Sequence, residues 1–152
     1  MREDIVIIGA TEADLASIAS LIAELLAAVD TPPNIDLRQA VDNCRALLKE
    51  AAHHILVAKQ GGVAVGFIHV TMRRTVLHKR ASGLIDELVV SRDFRSQGIG
   101  KRLLSAAVDT CRKLGCCEVE VSTEMTNVRA RDFYKKCGFG EEGVLLEKHF
   151  DD

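Results

Sequence analysis

Apolar residues in this chain form short runs, alternating or continuous, between longer stretches where they recur every three or four positions. The first run, residues 5–8, predicts a strand. Thr11 then stands where a helix cap belongs, with Glu12 and Asp14 near the helix's positive end. Leu15, Ile18, Ile22, Leu25, Leu26 and Val29 follow at helical spacing, and Pro32 and Pro33 end the pattern. A second helix is predicted over residues 36–50, with Leu37, Val41, Cys44, Leu47 and Leu48 facing inward. Residues 55–58 and 63–70 read as a hairpin turned at Gly61 and Gly62. After a basic connection over 71–80 comes a strand at 84–90. The next helix carries Ile99, Leu103, Leu104, Ala107, Val108, Cys111 and Leu114. Residues 116–123 alternate as a half-exposed strand, and Asn127 caps a short helix containing Ala130, Phe133 and Tyr134. Gly138 and Phe139 end that helix, and a final strand is expected over 144–150.

The order β-α-α-β-β-β-α-β-α-β predicts an α/β (α+β) fold with a mixed sheet, antiparallel in the middle and with parallel crossovers later. The length of 152 residues implies one domain spanning 1–152, and 47% hydrophobic content suits a packed core. No apolar run approaches the ~20 residues of a membrane span, and the acidic N-terminus does not read as a secretory signal. A net charge of −2 offers no case for nucleic-acid binding. The five cysteines, Cys44, Cys111, Cys116, Cys117 and Cys137, include no Cys-x-x-Cys pair, so disulfide and zinc frameworks are poor readings. His53, His54 and His69 lack metal-ligand spacing and read as structural. No metal is expected, and a reducing cytoplasm is the expected location.

Chemistry concentrates where the strand at 84–90 becomes a helix. Arg95, Ser96, Gln97, Gly98, Ile99 and Gly100 form a basic turn whose glycines let the backbone approach a ligand. The first amides of the following helix lack internal partners and can donate to an anion. A P-loop would need four residues between its glycines and a hydroxyl after the lysine, whereas Gly98 and Gly100 are one apart and Arg102 follows Lys101. A dinucleotide loop would need a glycine where Leu103 stands.

The pattern resembles the pyrophosphate loop of the GCN5-related N-acetyltransferases, Gln/Arg-x-x-Gly-x-Gly/Ala, which Arg95, Gly98 and Gly100 match. Leu88, Val89 and Val90 precede it at that family's spacing. Asn127, Ala130, Tyr134, Gly138 and Phe139 follow as its second signature. The opening segment, residues 7–15, is similar to the family's first strand and helix, with Gly9 where a basic residue is common. The resemblance spans essentially the whole chain. It implies a single-domain acetyltransferase fold with six to seven strands and about four helices, splayed between the fourth and fifth strands. It implies acetyl-CoA as cosubstrate, its pantetheine arm pairing with Leu88, Val89 and Val90. The pyrophosphate would meet amides across Ser96, Gln97, Gly98, Ile99, Gly100 and Lys101. Arg95, Lys101 and Arg102 would add charge, and Asn127 would cap its helix close to the cofactor.

The implied reaction is direct attack of a primary amine on the thioester in a ternary complex. Tyr134 matches the family's general acid. The amine must lose a proton before it attacks. Glu87 is the first choice of base, and Glu120 and Glu124 are rivals. Glu87 should face opposite to Asp86 and Leu88, unless a bulge intervenes. Cys137 reads as a small apolar residue rather than a nucleophile. The acceptor, a small molecule or a protein amine, is not named by the sequence. The basic loop Arg73, Arg74, His78, Lys79 and Arg80 reads as a solvated hairpin tip, with attraction of an acidic acceptor as the lesser reading. The alternative function is a non-catalytic acyl-CoA-binding sensor. A homodimer through the edge of the final strand is a further expectation.

Overall fold

The computed structural model describes residues 4–29 and 33–150. The N-terminal residues 1–3, and residues 30–32 of the expected proline stop, lie outside the described residues.

Five strands form one sheet in chain order: β1 (Val6–Gly9), β2 (His53–Gln60), β3 (Val63–Arg73), β4 (Ser82–Val90) and β5 (Glu118–Val121). The first four pair antiparallel, and β4 pairs parallel with β5. Helices α1 (Leu15–Ala28) and α2 (Leu37–Leu47) follow β1, α3 (Ile99–Lys113) joins β4 to β5, and α4 (Val128–Lys136) follows β5. The mixed, mostly antiparallel sheet and the four helices agree with the sequence. The strand count does not. Five strands replace the expected six to seven among the described residues, and residues 144–150 form no strand. Val144, Leu145, Leu146 and Phe150 there are all at least 65% exposed, so the apolar residues of the expected strand bury nothing.

Local chemistry explains the element ends. The Thr11 amide donates to the Asp14 carboxylate at 2.9 Å, which fixes the turn leading into α1. Asp36 accepts from the Gln39 amide at 2.7 Å and caps α2. Gly61 and Gly62, both at positive φ, turn the β2–β3 hairpin in the mirror-image sense that matches strand twist. Gly138, at φ +99°, ends α4, and the Phe139 amide returns to the Tyr134 carbonyl at 3.0 Å.

The sheet buries both faces. On one, α1 and α2 pack Leu15, Ile18, Leu21, Ile22 and Cys44 onto Val57, Phe67 and Val89. On the other, α3 packs Leu103, Leu104, Ala107 and Cys111 onto Ile68, Val70 and Ile85, with Leu88, Val90, Phe133 and Tyr134 at the margin. The α3 side is tight at Gly83, where a Cβ would come within 2.5 Å of Cys111 Sγ. The five thiols are free.

One irregularity sets the geometry of the functional region. His69 pairs with Glu87, but Val70 pairs with Ile85, so Asp86 is an extra residue in β4. The bulge changes which face each residue serves. Ile85 packs toward α3, and three positions later Leu88 does too, whereas Val89 joins the α1–α2 core.

Candidate active site

The fourth and fifth strands pair over only part of the fourth. Pairing runs only from Ser82↔Glu118 to Ile85↔Val121. Strand β4 continues to Val90 with β3 on one side and, among the described residues, no strand on the other. Leu88, Val89 and Val90 therefore border a gap on the side of β4 away from β3. Their side chains also serve the cores, Val89 toward α1–α2 and Leu88 and Val90 toward α3.

At the end of β4 the chain makes a 3-10 turn, Arg92–Phe94, and then the loop singled out in the sequence. The Arg92 amide donates to Glu24 Oε1 on α1 at 3.0 Å, which ties the loop to the first helix. Two residues adopt left-handed backbone, Ser96 at φ +62° and Gly98 at φ +78°. Glycine takes this conformation without cost, but serine does so uncommonly, and such strain concentrates at ligand sites. The first α-helical hydrogen bond runs from the Arg102 amide to the Gly98 carbonyl at 3.1 Å. The amides of Ile99, Gly100 and Lys101 precede it and have no helical acceptor. A Cβ built on Gly98 would meet nothing within 4 Å, so the space before these amides is open. Ile99 itself is buried and anchors the helix start. This is an anion cradle at a helix N-terminus.

The flanking cations are partly committed. Arg95 Nε donates to the Val90 carbonyl at 3.2 Å, and Arg102 donates to the Ile5 carbonyl at 2.8 Å. Arg95 thus braces the strand end and Arg102 braces the N-terminal segment.

Helix α4 closes the region on the α3 side. Asn127 accepts from the Ala130 amide at 3.1 Å, so its side chain caps the helix. Phe133 reaches the first turn of α3, within 3.8 Å of where a Gly100 Cβ would lie. A cleft of about 550 Å³ runs along α4 past Val128, Arg129, Asp132, Phe133 and Lys136. Tyr134 is half-buried, edge-on to Phe133 and Phe139 at 5.3 and 5.8 Å between ring centroids. Burial, reinforced by Cys137, raises its phenol above the ordinary value of 10.0 and keeps it protonated at neutral pH. Cys137 lies half-buried in the same apolar cluster.

Glu87 lies on the opposite, α1–α2 side. Its Oε2 is 2.6 Å from His69 Nδ1, and its charge helps to raise the Cys44 thiol on α2, after burial itself. The bulge that the sequence reading allowed for is present, and it brings Asp86 to the side of Glu87 while Leu88 faces α3. Asp86 Oδ2 is 3.8 Å from the same His69 nitrogen and accepts from the Thr71 hydroxyl at 2.5 Å. Both carboxylates therefore share one face. Of the rival acids, Glu120 is held by Arg73 at 2.6 Å, and Glu124 is exposed with its carbonyl used by the Asn127 amide.

The sequence reading missed the surroundings of Glu87. His69 and His53, taken as structural, stand directly behind it, 2.8 Å apart. A period-two count along β3 places His69 on the Phe67 face, and the regular pairing of Phe67 with Val89 and of His69 with Glu87 sets Glu87 beside it. Of the basic residues expected in a loop, Arg73 ends β3 and pairs with Glu120, and His78 in the connection pairs with Glu118 at 2.7 Å, so this segment is fastened to β5. His78, Glu118 and Glu120 lie close enough to share a cation, but Arg73 already neutralises Glu120.

Residues 19–139 match the model of the Acetyltransferase (GNAT) family. Among curated proteins, the aminoalkylphosphonate N-acetyltransferase of Salmonella typhimurium is 32% identical over 139 residues, covering 91% of this chain and 87% of the relative. The glucosamine 6-phosphate N-acetyltransferase of Arabidopsis thaliana is 31% identical over 70 residues, 46% of this chain and 45% of the relative. Among solved structures, the aminoglycoside N-acetyltransferase AAC(6')-Iy in complex with CoA superposes with a TM-score of 0.83 at 20% identity. That match covers 96% of this chain and 95% of the other, a likeness of fold.

Proposed function

The chain belongs to the acetyltransferase (GNAT) family, and from that premise we propose that Glu87 and Tyr134 serve as its base and acid in direct acetyl transfer from acetyl-CoA to a primary amine. The chain is an N-acetyltransferase. One observation carries the reading of its site. Strand β4 loses its β5 partner after Ile85, beside a helix start whose first three amides are open.

The residues present fit coenzyme A. The amides of Ile99, Gly100 and Lys101, with the open space at Gly98, suit a pyrophosphate. Ser96, Gln97 and the Lys101 ammonium border it. The free side of Leu88, Val89 and Val90 suits an amide-containing arm that pairs as a strand would. Bound acetyl-CoA supplies an activated acetyl thioester. Glu87 takes the proton of the incoming ammonium and so exposes the nitrogen lone pair. Tyr134, kept neutral by burial, donates its phenolic proton to the departing sulfur. The two groups belong to opposite faces of the sheet, so acceptor and donor approach the gap from different sides.

The acceptor class is drawn from the aminoalkylphosphonate N-acetyltransferase, whose match covers 91% of this chain. We assign a small primary amine that carries a phosphonate or similar anionic group. Arg74, Lys79 and Arg80, exposed in the β3–β4 connection, supply the complementary charge. A single domain in the cytoplasm remains part of this reading, and no described helix is long and apolar enough to cross a membrane. The acyl-CoA sensor is the disfavoured alternative, because binding alone needs no protonated tyrosine. Release of CoA with a panel of amines, beginning with aminoalkylphosphonates, tests the assignment. Release with neutral amines alone would refute the acceptor class, and binding of acetyl-CoA without release on any amine would favour the sensor.

A further inference from the structure

Behind Glu87, four groups form a continuous chain. Glu87 Oε2 is 2.6 Å from His69 Nδ1, His69 Nε2 is 2.8 Å from His53 Nδ1, and His53 Nε2 is 3.3 Å from Glu50 Oε2. The two rings stack with centroids 5.1 Å apart. Side-chain exposure is 44% at Glu87, 7% at His69, 19% at His53 and 56% at Glu50, so two largely buried rings connect the carboxylate at the gap to a second, more exposed one. At its outer end His53 lines an open cleft of about 180 Å³ with Ala10, Leu48 and Ile55, room for several waters.

We propose that His69 and His53 form a proton path that carries the proton taken up by Glu87 out to Glu50 and solvent. The inference rests on Glu87 as base. Counting hydrogens shows why the arrangement suits the task. Three contacts join the four groups, and each needs one hydrogen. With both carboxylates ionised, two neutral imidazoles bring only two. The chain is one proton short, and the proton from the acceptor ammonium completes it.

The transfer balances. Glu87 takes the ammonium proton and passes it to His69 Nδ1. The hydrogen on His69 Nε2 moves to His53 Nδ1, and that on His53 Nε2 moves to Glu50 and then to water. One proton enters, one leaves, and no electrons are exchanged. Rotation of the rings restores the starting tautomers. The other groups that face the path are Asp86 from β4, 3.8 Å from His69 Nδ1, the Thr71 hydroxyl, 3.3 Å from His53 Nδ1, and the Cys44 thiol from α2, close enough to sense Glu87. His69 and His53 act through Glu87 and are positioning and proton-passing residues.

The test compares His53→Ala, His53→Gln and Glu87→Gln in steady-state kinetics at low and high imidazole buffer. The expected result for both His53 variants is a fall in kcat of about tenfold with KM for acetyl-CoA unchanged. In His53→Ala, added imidazole restores kcat, and rate depends on buffer concentration where the wild type does not. Glutamine keeps the hydrogen bonding but cannot relay a proton, so His53→Gln separates relay from packing if the alanine variant folds poorly. Wild-type kcat in folded His53→Gln, or a loss in His53→Ala that imidazole does not reverse, would overturn the path. Full activity in Glu87→Gln would instead remove Glu87 as the base.

Discussion

Glu87 stands opposite His69 across the β3–β4 ladder, and the register slips by one residue immediately beyond that pair. The pairing presents the Glu87 carboxylate to the α1–α2 side with a histidine behind it, and the slip brings Asp86 within 3.8 Å of the same histidine. If this carboxylate is the base, Glu87→Gln keeps the size and loses the proton acceptor. The expected outcome is a fall in kcat of about 10²-fold or more, with KM for acetyl-CoA nearly unchanged. Initial rates of thiol release across a range of acetyl-CoA concentrations check it.

Tyr134 makes a separate prediction about pH. Its phenol is raised by burial and by Cys137, so the protonated form persists to higher pH than in an exposed tyrosine. Activity should therefore not fall on the alkaline side until pH passes the ordinary tyrosine value of 10.0. Tyr134→Phe should lower kcat by about 10²-fold and leave acetyl-CoA affinity intact, because the ring contacts with Phe133 and Phe139 remain. A kcat–pH profile of both proteins reads the effect.

Gly98 holds the loop at φ +78° with open space beyond it. Alanine there costs about 1–2 kcal/mol of backbone strain and places a methyl group where the phosphate should lie. Gly98→Ala is expected to weaken acetyl-CoA binding about tenfold or more while α3 still forms. Calorimetric titration with acetyl-CoA, beside a thermal melt, separates binding from stability.

Asp14 links pH to stability. It is buried and 2.8 Å from Lys59 Nζ. Burial pushes its carboxyl up, but Lys59 and the Thr11 amide outweigh that and hold it below the ordinary value of 3.8. A depressed carboxylate contributes stability that is present above its unfolded value and lost as pH falls through its folded value. Asp14→Asn should cost about 2 kcal/mol at neutral pH, and the gap from wild type should shrink below about pH 4. Urea denaturation at several pH values measures it.

The cradle was legible because its signals are local. A strand, a glycine turn and a periodic helix follow one another within about twenty residues, and each is written in side chains that touch their own neighbours. Tyr134 and Asn127 were legible for the same reason, as positions on one short capped helix. The face of Asp86 was not, because a bulge depends on the register of β3 against β4 and leaves no composition signal. His53 and His69 are sixteen residues apart in sequence and meet only through that pairing. Arg95 and Arg102 were expected to add charge near the phosphates, and the contacts of their guanidiniums with the carbonyls of Val90 and Ile5 were not legible, because they depend on the folded loop. The run at 144–150 has strand-forming residues but no described neighbour to pair with, and propensity alone does not make a strand.

The most direct measurement is acetyl-CoA binding followed by amine-dependent CoA release, for wild type, Glu87→Gln and Tyr134→Phe side by side. The account predicts that all three bind acetyl-CoA with similar affinity, that the wild type releases CoA with a small anionic primary amine, and that both variants release it at least tenfold more slowly. Failure of the wild type to bind acetyl-CoA, or equal rates in all three proteins, would contradict it.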